Sequence, residues 1–218
     1  MRSLRTSICY ATSTSCYVRV IAVSSELSLK YLSGYPVALT NQVCALLAAG
    51  TLGDILLKKY GAAHSVRTDK ALYDYVMTLK SDYLRSSEPL AKVVFDPRLN
   101  VLTHALGTHT TSSRVQGNKL KAKREIRIAS LFKDGPEAFL KMITVHELAH
   151  IKEREHDKAF YQLCTHMEPN YHQYEFDLRA YLCLLDASNS VNKTRTQDEN
   201  SVLAWSTLSK KSEPSAPK

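Results

Sequence analysis

No apolar run in this chain approaches the length of a membrane span. The longest, around residues 43–49, is broken by Gly50, so nothing here reads as a spanning helix. Cysteine is sparse and unpatterned. The five, at positions 9, 16, 44, 164 and 183, form no CxxC pair and leave an odd count; reduced thiols in a cytoplasmic setting are the simplest reading. The first 28 residues lack the compact apolar stretch of a secretory signal, because Thr6, Ser7, Thr12 and Ser13 interrupt it. No internal repeat is visible. Aromatic residues do not interleave the most basic segment, which weakens a nucleic-acid reading.

What is present suits one globular domain with extensions. A chain of 218 residues with 44% hydrophobic content can bury a sizeable core. Residues 1–28 hold Arg2, Arg5 and Arg19 against the single acid Glu26 and read as a flexible N-terminal extension. Residues 29–186 form the expected domain. Residues 187–218, rich in Ser, Asn and Lys with Val202-Leu203-Ala204-Trp205 as the sole apolar patch, read as a disordered tail. Helical spacing covers 38–47, 52–60 and 69–84, punctuated by Gly50, Gly53 and Gly61. A short strand is expected at 91–95 and others at 101–104, 112–115 and 125–129, with Gln116-Gly117-Asn118 as a turn. Helices at 158–166 and 171–185 follow. The sum is a single α+β domain: N-terminal helices, a small mixed sheet, a further helix that carries the chemistry and C-terminal helices.

The chemistry is concentrated in His146-Glu147-Leu148-Ala149-His150. On a helix, positions i and i+4 share a face, so two imidazoles can converge on one ion. Zinc accepts histidine nitrogen and, in catalytic sites, takes three protein ligands and keeps one position open. The adjacent glutamate then reaches the water such an ion activates. Asp134-Gly135-Pro136-Glu137 supplies a helix start. Phe139, Leu140, Met142, Ile143 and Val145 make the helix apolar on most sides, which places it in a core. Histidines and a glutamate left unpaired there would be costly. The third ligand has two candidates. Glu175 lies on a later helix, where with Asp177 it more readily forms a solvated face pairing with Arg179. His156 is the stronger, but six residues past His150 is about 240° around a continuous helix, so the chain must bend first. Metzincin proteases use this spacing with a glycine midway, where Glu153 stands here.

These residues, with Asp157-Lys158-Ala159-Phe160-Tyr161 and His166-Met167-Glu168-Pro169-Asn170-Tyr171, resemble the YgjP-like metallopeptidase family of bacteria. So do the block from Ala105 to Thr110, the block from Ser113 to Lys123 and, near the start, Leu32-Ser33-Gly34-Tyr35-Pro36; the upstream blocks match the enterobacterial branch. The resemblance covers roughly residues 29–186. It implies a zincin-like α+β fold with its metal-binding helix ending at the motif, metal ligands at His146, His150 and His156, and Glu147 as the catalytic base. The wider family carries Trp-Gly-Ser-Cys-Ser where this chain has Leu106-Gly107-Thr108-His109-Thr110, so no role tied to that cysteine carries over.

One Zn2+ ion is therefore the expected cofactor, and a peptide or protein the first expected substrate. The alternative substrate is a nucleoside triphosphate, since members of the resembling family hydrolyse UTP to UMP and diphosphate. Residues 29–186 carry 21 Lys and Arg against 17 Asp and Glu, a net +4. Seven of those cations, among them Arg114, Lys119 and Lys121, fall in 114–133 beside the single acid Glu125. A phosphoanhydride hydrolase would use Arg114, Lys119 and Lys121 to hold phosphates. A peptidase would pair substrate backbone along the strand at 126–129 as a free edge. A nucleic-acid-associated protease or binding module is the third and least favoured reading. No membrane partner is expected. His109, Tyr161, Tyr171 and His172 are candidate oxyanion donors that sequence does not rank.

Overall fold

The computed structural model describes residues 29–99, 107–116 and 119–193, together with Trp205 and Leu208. Three helices open the domain: α1 at Val37–Ala48, α2 at Leu52–Tyr60 and α3 at Asp69–Tyr83. Their ends follow local chemistry. Gly61 closes α2 at φ 69° while donating its N–H to the Leu57 carbonyl, a torsion that side-chain-bearing residues rarely adopt. Thr68 caps α3, its hydroxyl accepting from the Ala71 N–H at 3.1 Å. Among the described residues no single helix is long and apolar enough to cross a membrane.

A three-stranded sheet follows, from β1 (Leu90–Asp96), β2 (Gly107–Gln116) and β3 (Lys119–Ala129) in the order β1-β3-β2. β1 runs parallel to β3, with Val93 opposite Ile126 and Phe95 opposite Ile128. β2 runs antiparallel on the other side, from Gly107 opposite Ile128 to Gln116 opposite Lys119. Val93, Phe95, Ile126 and Ile128 are all buried, so alternate residues of the paired strands face the core. This overturns one expectation: the strand at 126–129 is no free edge, because β3 is the central strand and both its sides are hydrogen-bonded. A periodicity of two reports which face is buried but not which neighbours a strand acquires. The expected strand at 101–104 lies outside the described residues.

A 3-10 turn at Ser130–Asp134 leads into α4 at Glu137–Ala149, then α5 at Lys158–Met167 and α6 at Tyr171–Lys193. α4 packs against α3, α5, α6, β2 and β3 and buries nine of its thirteen residues, which is the core placement its apolar sequence requires. α6 continues past Ala187, where the sequence reading starts the tail. Within α6 the Ser188 hydroxyl turns back onto the Leu184 carbonyl at 2.8 Å, which satisfies this polar residue inside the helix. Trp205 also departs from that reading. It is buried against Phe139 and Tyr181 at ring distances of 5.7 and 5.2 Å, and its indole N–H donates to the Gly61 carbonyl at 2.9 Å.

Candidate metal centre

Helical pitch brings His146 and His150 together at the end of α4, with ring centroids 4.9 Å apart. His150 caps α4 at φ −62° and ψ −11°. Beyond it the backbone tightens: Ile151 N–H donates to Leu148, and both Lys152 and Glu153 donate to Ala149, at 2.9–3.1 Å. This turn is the bend that His156 needs. The His156 ring returns to 5.0 Å from His146 and 4.8 Å from His150. One ligand nitrogen from each histidine lies within 4.8 Å of the others. Asp157 then starts α5 by accepting from the Phe160 N–H at 3.0 Å, which seats the Phe160 ring 4.7–5.0 Å from all three imidazoles.

The far nitrogens are also engaged. His150 Nδ1 donates to the Glu153 carbonyl at 3.0 Å. A carbonyl only accepts, so Nε2 of that ring keeps its lone pair. Glu153, where metzincins have glycine, thus serves through its backbone. His146 Nδ1 lies 2.7 Å from the Tyr171 hydroxyl. Burial first, then its two imidazole neighbours, drives His146 down to about 3, and burial lowers His150 as well. Both rings are neutral at physiological pH, as ligands must be.

Glu147 is 2% exposed, and its Oε2 has no hydrogen-bond partner. Burial alone pushes its carboxyl up to about 8. A solitary carboxyl in such surroundings is unfavourable unless it holds a proton or faces a cation. Three converging imidazoles form a donor set suited to such a cation, so these residues fit a metal ion.

The other sequence candidates separate clearly. Glu175 is not part of the cluster: Arg179 holds its Oε1 with Nη2 at 2.7 Å and Nε at 3.2 Å. Asp177, expected on a solvated face with Arg179, is instead buried. It accepts from Lys59, Tyr60 and Gln173. Of the possible oxyanion donors, Tyr171 is spent on His146. Tyr161 stands beside His156 at 6.5 Å, His172 beside Tyr161 at 5.5 Å, and His109 is opposite Ile126 in β2. Arg114 is directly opposite Lys121, and Lys119 opposite Gln116. Two further cations of the basic run are already paired: Arg124 with Glu88, and Arg127 with Asp96 and Glu125. The single acid of that run is thereby occupied. Arg124 also donates to the Ile151 carbonyl at 3.1 Å, which ties this level of the sheet to the residue following His150.

Residues 70–181 match the family model described as YgjP-like, metallopeptidase domain, just over half of the chain. The chain belongs to this YgjP-like family. A protein of Escherichia coli (strain K12) named UTP pyrophosphatase is 56% identical over 158 residues, covering 72% of this chain and 95% of that protein. No solved structure matches. The YgjP-like chain is a metal-dependent hydrolase, with a histidine triad able to hold the ion. Sequence reasoning missed the partner of His146. Tyr171 stands 25 residues away, and only its place in a recurring family block marked it.

Proposed function

We propose that this YgjP-like chain hydrolyses a nucleoside triphosphate, UTP foremost, to the monophosphate and diphosphate. The observation that carries this is the 56% identity to a relative named UTP pyrophosphatase, matched over 95% of that protein's length. His146, His150 and His156 would hold the metal, for which the three-imidazole donor set favours zinc. Such an ion, when bound, supplies Lewis acidity and draws the pKa of nearby water toward about 7.

Glu147 is the proton carrier. It takes a proton from the attacking water at its unpartnered Oε2 and returns it to the departing diphosphate. Burial raises that carboxyl's proton affinity, and the charge of a bound metal ion would offset this and leave it ionised to accept the proton. Arg114, Lys119 and Lys121 would bind the phosphates. Arg114 is in register with Lys121, so both cations stand at one level of the β2–β3 pair. That pair lies three register steps from Thr111 and Arg124, roughly 10 Å along the strand. Arg124 itself reaches the residue after His150.

Peptide-bond hydrolysis is the second reading. The family's metallopeptidase description favours it, and so does the outer edge of β2, unpaired among the described residues, where an extended peptide could add as a strand. One experiment decides: metal-loaded wild type and Glu147→Gln, each given UTP and an unfolded protein. Wild type should release UMP and diphosphate, with Glu147→Gln keeping its metal and losing at least about 10²-fold in rate. Untouched UTP beside Glu147-dependent protein cleavage would replace the first reading with the second.

A further inference from the structure

His146 and His150 have different supports. The acceptor behind His150 is a backbone carbonyl, which allows one tautomer. The group behind His146 is a hydroxyl, which can accept or donate. Two contacts of His146 are therefore linked. Its Nδ1 lies 2.7 Å from the Tyr171 hydroxyl and its Nε2 lies 3.1 Å from His156 Nε2. A neutral imidazole carries one proton. When Tyr171 donates to Nδ1, the ring proton sits on Nε2 and is donated to His156, so the triad is hydrogen-bonded shut. When Tyr171 accepts, the ring proton sits on Nδ1 and Nε2 is free to bind a metal.

The second arrangement needs somewhere for the tyrosine proton to go. The buried thiol of Cys164 hydrogen-bonds the same hydroxyl. Burial holds that thiol up to about 12, so it stays neutral and its sulfur can accept weakly. Tyr171 is wholly buried, so bulk water does not substitute for it.

We propose that Tyr171, backed by Cys164, is a positioning residue that selects the tautomer of His146 and so opens or closes the centre to metal. The proton count balances: Nε2 gives up one proton, Nδ1 gains one through solvent exchange, and the hydroxyl proton turns from Nδ1 to Sγ. No group changes net charge. This inference concerns the triad's own chemistry and holds whichever bond the enzyme cleaves.

The test measures zinc affinity by chelator competition for wild type, Tyr171→Phe, Cys164→Ala and Cys164→Ser. A ¹⁵N-histidine spectrum of the wild type, with and without zinc, accompanies it. Tyr171→Phe should bind zinc about 10- to 100-fold more weakly. Cys164→Ala should weaken binding a few-fold, and Cys164→Ser should restore it. The spectrum should place the His146 proton on Nε2 without metal and on Nδ1 with it. Affinity within twofold of wild type in a folded Tyr171→Phe protein overturns the proposal. So does a metal-free His146 already protonated at Nδ1, an observation that needs no variant.

Discussion

α1 and α4 are both short apolar helices, of 12 and 13 residues, in opposite surroundings. α1 carries no charged residue, yet among the described residues it buries only Val43, and Val37 is 73% exposed. α4 carries Glu137, Lys141, His146 and Glu147 and is the most enclosed element of the fold. Apolar content therefore does not decide which helix becomes core; the partners that close around it do. α4 lies between a sheet and three helices. Each polar residue it buries must then find a mate or stand as a functional group. Lys141 has found Glu168 at 2.5 Å. Glu147 Oε2 has found nothing, nor has Thr144 Oγ1, and of the two only Glu147 is ionisable.

The comparison can be broken at several points. The largest effect should come from Glu147→Gln, which removes the unmated carboxyl. Hydrolysis should fall by about 10²- to 10⁴-fold, while calorimetry finds the metal-free fold no less stable. Next is Phe139→Ala, which empties the space shared by Tyr60, Tyr181 and Trp205. Denaturant unfolding should register a loss of about 3–5 kcal/mol.

Lys141→Met tests the mated pair. Glu168 is pushed up by its burial, but Lys141 and the Asn170 N–H outweigh this and hold it below its ordinary 4.5. Its stabilisation is thus present above pH 4.5 and lost as pH falls through the lowered value. Lys141 is one-third exposed, so solvent screening limits the loss at pH 7 to about 1–2 kcal/mol. Acid titration of the variant should show a shallower fall in stability than wild type; equal slopes would deny the pair this role. The smallest effect belongs to Val37→Ala on α1, within about 0.5 kcal/mol. A larger loss there would mean that something covers the α1 surface.

The parts legible in the sequence were those governed by local rules. α2 lies where the 3.6-residue spacing puts it, β1 is one residue longer at each end than expected, and the convergence of His146 with His150 follows from pitch alone. The return of His156 could be demanded but not shown, because the turn depends on which carbonyls receive the N–H groups of residues 151–153. The rest is non-local. Central placement of β3 depends on strand residues up to 34 apart in sequence. Asp177 finds Lys59 across 118 residues, a pairing that the nearby Arg179 disguised. Trp205 sits in the one apolar patch of a tail whose remaining residues are polar, and four residues carry no periodicity to say where they dock.

Trp205 bears on how this protein can be cut. It lies outside the 70–181 match, yet its ring packs on Phe139 in the first turn of the helix that carries His146. A shortened version stopping at Lys193 would leave the Phe139 and Tyr181 rings uncovered and the Gly61 carbonyl without its indole donor. The smallest piece that carries the histidines and the smallest piece that folds around them are therefore different lengths.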